Sequence, residues 1–368
     1  MAERPFHPVL RLGFAIVTIL LGLAATEMAM RYLDRPRGVI SGWRTTEPLG
    51  PVNQFGFRGQ PSPSLRTTDF VVILTGGAAV ECLACPRNET LDLMLERAVR
   101  QYNPNARVVT LGGGGYNQDQ EYLALHAFLA LRLRHADLVV DWASIADDVP
   151  GNTFRSGQPR PGQTRPKPTF ALRGGDSAGP TEGLGAPVYR TKISTLSWPL
   201  FIDLDRNWTT LLPKPDPGAA SPPPGAETLS HVHEPLEQQR TPWSIWMSPR
   251  PARVSYGIAL TRALFRHMRQ LSMLRGARFV VLMTPDPPGH RTDAPIALEH
   301  DGHWFLADPA TRDAAIAEAT AGFDTMTLAA DDAPPPSPEA QRQMMARLAD
   351  ALNKRQLLTP VATDRPRH

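Results

Sequence analysis

Phe70–Thr75 reads F-V-V-I-L-T and stops on Gly76-Gly77. An uncharged, β-branched run closed by glycines predicts a buried strand. Leu91–Gln101 then places apolar side chains at 91, 95, 98 and 99, one face of a helix. Arg107–Leu111 (R-V-V-T-L) predicts a second strand, closed by four glycines at 112–115. Gln118–Leu133 reads as a second helix and Leu138–Trp142 as a third strand. Buried strands alternating with helices confine a chain to α/β architecture, a parallel sheet covered on both faces. The rhythm returns with helix Val254–Leu274, strand Phe279–Met283, a helix near Pro309–Ala321, a short strand Thr325–Leu328 and helix Pro338–Leu352.

Between these two stretches the pattern stops. The chain has 38 prolines in 368 residues, and 18 of them fall between Pro150 and Pro251. Proline at about twice its usual ~5% share cannot be accommodated inside strands and helices, so this segment reads as an insertion or lid. Its aromatic stretch Ile193–Leu212, with Trp243 and Trp246, is expected to dock on the main domain or line a cleft. The hydrophobic share of 42% is too high for a wholly disordered chain. Two cysteines, Cys82 and Cys85, exclude a disulfide scaffold or a Cys-rich zinc module. In an oxidising compartment the pair could close a short-loop disulfide; a redox or metal C-x-x-C site lacks a second pair, and two plain loop cysteines is the preferred reading. The net charge is +3, and the basic residues are scattered rather than clustered, which argues against a nucleic-acid partner. Lysine occurs only at 167, 192, 214 and 354 against abundant arginine, a bias typical of a GC-rich bacterial gene.

Leu12–Thr26 carries no charge, with Arg4 and Arg11 before it and Glu27 and Arg31 after. Extended to Met30, the run suits a membrane span of about 20 residues. A cleavable signal peptide and an ordinary buried helix are the competing readings. A single-pass anchor with the main domain exported is preferred, because no second hydrophobic span follows. The arginines at 31, 35, 37 and 44 pull against that orientation. The division that results is a stub at 1–11, a signal-anchor at 12–30, a linker at 31–69, an α/β domain at 70–149 and 252–355, the Pro-rich insertion at 150–251 and a tail at 356–368.

In open parallel sheets ligands bind at the carboxyl ends of the strands. The residues standing there are Gly76-Gly77-Ala78, Gly112–Gly115, Ser144–Asp148, Thr284–Asp286 and Asp331–Pro335. The motifs in and around them are N-Q-F-G-F-R-G at Asn53–Gly59, V-V-I-L-T-G-G-A-A at Val71–Ala79 and L-G-G-G-G-Y-N at Leu111–Asn117. Further on come A-D-L-V-V-D-W-A-S-I-A-D at Ala136–Asp147 and S-P-E-A-Q at Ser337–Gln341. In order and spacing this set resembles the SGNH hydrolases, the GDSL esterase superfamily, in their membrane-anchored bacterial form. The resemblance covers 70–150 closely and 254–352 loosely. It implies a three-layer, flavodoxin-like parallel sheet behind an N-terminal membrane helix.

Carried over position by position, the resemblance implies a degenerate site. The nucleophilic serine falls on Ala78, which has no oxygen with which to attack an acyl carbon. The glycine of the second motif is Gly114, and with Gly77 and Asp147 it implies an oxyanion or ligand pocket. The asparagine of the third motif falls on Ala146, removing a donor worth about 2.7–4 kcal/mol in a working enzyme. The terminal Asp-x-x-His falls on Asp332 and Pro335, so the base is a proline. Loss of nucleophile and base costs a working triad on the order of a millionfold.

Two substitutes are weighed against this. Ser144 could act as a relocated nucleophile, although a loop serine is usually a turn residue. His290, His300 and His303, with Asp301, could supply a base or metal ligands, although histidines in a Pro/Gly-rich surface loop are usually solvated. His231 and His233 are weaker candidates, and Glu81, just past Ala78, reads as an exposed loop glutamate. The expected protein is a membrane-tethered SGNH-like subunit of the bacterial cell envelope at the inner membrane, its body periplasmic. It binds a carbohydrate or acyl ligand or an envelope protein, without a cofactor and without Ser-His esterase activity. The competing expectation is an active ester hydrolase or O-acyltransferase acting on acetylated polysaccharide or lipid through relocated residues.

Overall fold

The computed structural model describes residues 8–33, 50–61, 65–83, 85–86, 88–130, 135–153, 170, 172–174, 180–184, 242–283, 295–300, 303–327 and 337–360. Its frame is a five-stranded, all-parallel sheet made of β1 (Phe70–Gly76), β2 (Ala106–Gly112), β3 (Leu138–Ala143), β6 (Arg278–Met283) and β9 (Thr325–Thr327). The spatial order is β2-β1-β3-β6-β9. The expected strands are therefore present, each within a residue or so of its sequence limits. Their side chains are apolar on both faces, as a sheet covered on both sides requires.

One face carries Val71, Ile73, Val109, Leu111, Val139 and Val281. It is covered by α4 (Gln118–Ala130), α5 (Ile145–Asn152), α6 (Ala252–Leu274) and α7 (Pro309–Thr320). The other face, with Val72, Leu74, Val140, Trp142 and Leu282, is covered by α3 (Leu91–Val99) and α8 (Pro338–Lys354). Asp308 and Ser337 cap α7 and α8 by accepting from the N–H groups of Ala310 and Ala340, and a proline follows each cap at N1. Each cap satisfies a backbone donor that the first turn would otherwise leave free.

Several segments read as connectors are built into the body. Within the expected linker, Asn53 Nδ2 donates to Thr110 O at 2.8 Å, and the Thr110 hydroxyl donates to Arg58 O at 2.7 Å. Phe55 and Phe57 are buried against Phe128 and Tyr116. At the start of the Pro-rich segment, α5 continues through Pro150 to Asn152. At its other end Pro242–Trp246 forms a 3₁₀ turn, and Trp246 is buried in the core. Two antiparallel hairpins are additions to the expected fold: β4 (Leu172–Gly174) with β5 (Pro180–Leu184), and β7 (Ile296–His300) with β8 (His303–Ala307). The Ile193–Leu212 stretch lies outside the described residues.

The N-terminal run forms α1 (Pro8–Leu33), a helix of 26 residues. Its side chains are described at 13–25, where none is buried and Phe14, Ile16, Ile19 and Leu20 are exposed. Among the described residues, no helix is long and apolar enough to cross a membrane.

Candidate functional site

β1 and β2 end side by side, with Gly76 in register with Gly112 and with Trp142 of β3. Two glycines make this approach feasible. A Cβ on Gly112 would stand 2.3 Å from Gly76 O, and one on Gly76, where φ is +155°, would stand 2.9 Å from Trp142 O. No side chain fits in either gap, so the chain reverses tightly at the carboxyl ends of the strands. From Gly77 it enters α2 (Ala78–Glu81), a single turn.

Three of the loops singled out in the sequence are tied together here by direct contacts. Gly77 faces the backbone of Tyr116 in the second glycine loop, 3.0 Å from where its Cβ would be. Gly113 N donates to Gly76 O at 3.2 Å. Asn117 Nδ2 reaches Asp147 O at 3.5 Å and Asp148 Oδ1 at 3.1 Å, which ties the loop to the start of α5. The β1, β2 and β3 loops thus share one end of the sheet. Ala78 is exposed there and offers only a methyl group, Ala146 is half-buried and Asp147 is exposed. Asp332 and Pro335 lie outside the described residues, as do His231, His233, His290 and Asp301.

Gly114 departs from the expected open pocket. Its N–H donates to Glu81 Oε2 at 2.6 Å, so the amide expected to receive a ligand oxygen already holds a carboxylate of this chain. Glu81 is accordingly not the exposed loop residue that its local sequence suggests, since it is only 2% exposed. The Arg58 guanidinium is buried beside it. Its Nη1 donates to Glu81 O and Cys82 O, and its Nη2 donates to Cys85 O at 2.5 Å and Pro86 O at 3.2 Å. Burial pushes the Arg58 pKa down, while Glu81 and Asp92 push it back up. Cys82 and Cys85 are joined in a disulfide, so the preferred reading of two plain loop cysteines is corrected.

At the third strand the Ser144 hydroxyl donates to Asp147 Oδ2 at 2.8 Å, and the Ser144 N–H donates to Asp148 Oδ2 at 2.7 Å. Ser144 thus stands at the N-cap of α5, where its hydroxyl caps no backbone N–H and its two donors go to the acidic residues three and four positions on. His300 and His303 are not in an open loop, because they are register partners at the turn of the β7–β8 hairpin. Among the described residues no group of three or more His, Cys, Asp or Glu side chains is placed to hold a metal ion. The described histidines serve elsewhere. His135 Nε2 sits 2.9 Å from Asp69 O before β3, and His126 and His267 flank the Tyr122 ring.

Beneath the crevice lies a buried polar cluster that the motif reading missed. Thr75 and Asp141 are register partners on β1 and β3, and the Thr75 hydroxyl donates to Asp141 Oδ1 at 2.5 Å. Glu121 of α4 faces Asp141, and the two carboxyls are within hydrogen-bonding reach. Such a bond needs a proton on one partner. Burial raises both carboxyls, and Asp141, Asp148 and Asp119 raise Glu121 further, so the folded pair holds on to a proton that the separate carboxyls would lose. Asp148 accepts from Gln118 Nε2 at 2.5 Å as well as from Asn117 and Ser144. Its pKa is nonetheless pushed up to about 8, chiefly by burial, with Asp147 and Asp141 adding to it. Asn152 closes the cluster, donating to Gln118 Oε1 and to Thr261 Oγ1 of α6, both at 2.9 Å. The missed signal was the lone aspartate in L-V-V-D-W-A, a charge inside a strand that is covered on both faces.

No family model matches the chain, and no curated protein matches it.

Proposed function

We propose that this chain is a membrane-tethered, SGNH-hydrolase-like domain that lacks Ser-His esterase activity and serves as a ligand-binding or accessory subunit of the bacterial envelope. The observation that carries the proposal is the state of the crevice. The nucleophile position is the methyl of Ala78, and the Gly114 N–H is taken by Glu81. A preorganised donor accelerates acyl transfer only if it is open to the developing oxyanion. A carboxylate at 2.6 Å excludes one.

Two further features support the reading. Numbered among themselves, the five sheet strands follow the order 2-1-3-4-5, that of flavodoxin-like folds, whose ligands sit at the switch point where β1 and β3 diverge. The crevice described above occupies that point. The apolar side chains of α1 described at 13–25 are largely exposed, which suits an anchor carrying an exported domain.

A carbohydrate or acyl group is the ligand class this reading implies. The test is hydrolysis of p-nitrophenyl acetate by the full chain in detergent micelles. The expected rate is that of the heat-denatured control, and turnover proportional to native protein would sink the proposal. One observation favours the second reading, an ester hydrolase or O-acyltransferase with relocated residues. The Ser144 hydroxyl is hydrogen-bonded to a carboxylate at the carboxyl end of β3. That reading requires turnover that disappears in Ser144→Ala.

A further inference from the structure

We propose that the Cys82–Cys85 disulfide is a redox latch that holds the Glu81 carboxylate on the Gly114 amide, and that a dithiol opens it. The latch acts on the crevice itself, so it stands whether or not the domain catalyses.

The argument begins with α2, whose four residues are too few to be a stable helix alone. Something outside it must fix where Glu81 points. Immediately after Glu81, Cys82 adopts a left-handed conformation with φ 45°, which a non-glycine side chain takes up only when its surroundings impose it. Two devices impose it. The disulfide ties residue 82 to residue 85 across three positions, and both sulfur-bearing side chains are packed into the core face under α3 and α8. The closed ring then turns the carbonyls of Glu81, Cys82, Cys85 and Pro86 inward onto one buried guanidinium, that of Arg58. Four carbonyls from both arms of the loop can share one Arg only while the loop is closed.

Opening follows ordinary exchange chemistry. A thiolate of an external dithiol attacks one protein sulfur and forms a mixed disulfide, expelling the other protein sulfur as a thiolate. The second external thiolate then displaces the first protein sulfur, leaving a cyclic external disulfide. The two protein thiolates take up two protons, so two electrons pass to the protein. Two free thiols no longer hold the arms together, the carbonyl cradle on Arg58 splits, and the residue before Cys82 loses its fixed direction. The Gly114 N–H then becomes available to an acceptor oxygen from outside the chain.

The test is hydrogen–deuterium exchange on the full chain, following the Gly114 amide within 111–117. It is run oxidised and after dithiothreitol, with iodoacetamide mass shifts confirming two thiols. Reduction is expected to raise exchange at Gly114 by about tenfold or more, as loss of a bond to a charged acceptor should. Glu81→Ala is expected to give the same rise while oxidised, and reduction should then add nothing at 111–117. The Cys82→Ser/Cys85→Ser variant should match the reduced chain. If that variant fails to fold, reduction of the native protein carries the test. Unchanged exchange at Gly114 with both thiols titrated would overturn the latch. So would additive effects of Glu81→Ala and reduction, or a disulfide that dithiothreitol does not open under native conditions. A rise spread equally over β1 and β3 would also overturn it, because that reports global unfolding.

Discussion

Glu121→Gln should stabilise this protein at neutral pH, because a buried acid that keeps its proton makes stability fall as pH rises. Glu121 is 1% exposed, and neither of its oxygens has a hydrogen-bond partner unless a proton is present. Its folded pKa lies above the unfolded value of 4.5, so its favourable contribution is complete below about that pH and is lost upward. In that window Glu121 lets the folded chain hold up to one more proton than the unfolded chain, a contribution of at most about 1.4 kcal/mol per pH unit. Glutamine carries the same shape without the proton, leaves one negative charge on the pair, and offers an N–H to Asp141 Oδ2, which lacks a partner. At pH 5 the variant should lie within about 1 kcal/mol of the parent. Above that pH the variant should lose stability less steeply than the parent, by at most about 1.4 kcal/mol per pH unit, and be the more stable at pH 7. Urea unfolding followed by tryptophan fluorescence, at half-unit pH steps from 4.5 to 8, reads this difference. Parallel stability profiles for parent and variant would refute a proton held by the Glu121–Asp141 pair.

Other outcomes follow from the same structure. Asp148→Asn should flatten the stability profile between about pH 4 and about 8, the window set by its raised pKa. It should also cost about 1–3 kcal/mol at pH 5, because its amide group must face one of three donors; both are read by the same urea series. Gly112→Ala forces a methyl to 2.3 Å from the Gly76 carbonyl, a backbone atom that cannot step aside, and should lower stability by about 3 kcal/mol or abolish soluble expression. Ala78→Ser should leave acetyl-ester hydrolysis at background, since Glu81 still occupies the Gly114 amide; rates rising well above the parent would show that the amide is open.

The sheet was legible because four of its strands announce themselves locally as apolar runs, two of which, β1 and β2, stop on glycine. The elements that escaped depend on partners distant in sequence. Phe55 and Phe57 sit in a stretch that reads as linker and are core residues only because β2 and α4 lie beside them. The β7–β8 hairpin was hidden by the Pro/Gly-rich segment that introduces it. Ala78 could be placed at the strand end by motif order, but the fate of the Gly114 amide could not. That depends on Glu81, 33 positions away, turning inward rather than toward water. Asp141 was the one conspicuous clue to the buried carboxyls. Its pairing with Thr75 follows from the strand register, which no local pattern discloses.

The central claim, a crevice without a working nucleophile, is tested most directly by fluorophosphonate labelling of the full chain followed by peptide mass spectrometry. These reagents bond only to a serine activated by its surroundings. The account predicts no adduct on any serine, with the native chain indistinguishable from the heat-denatured one. A stoichiometric adduct on Ser144, formed in the native chain and lost on denaturation, would contradict it.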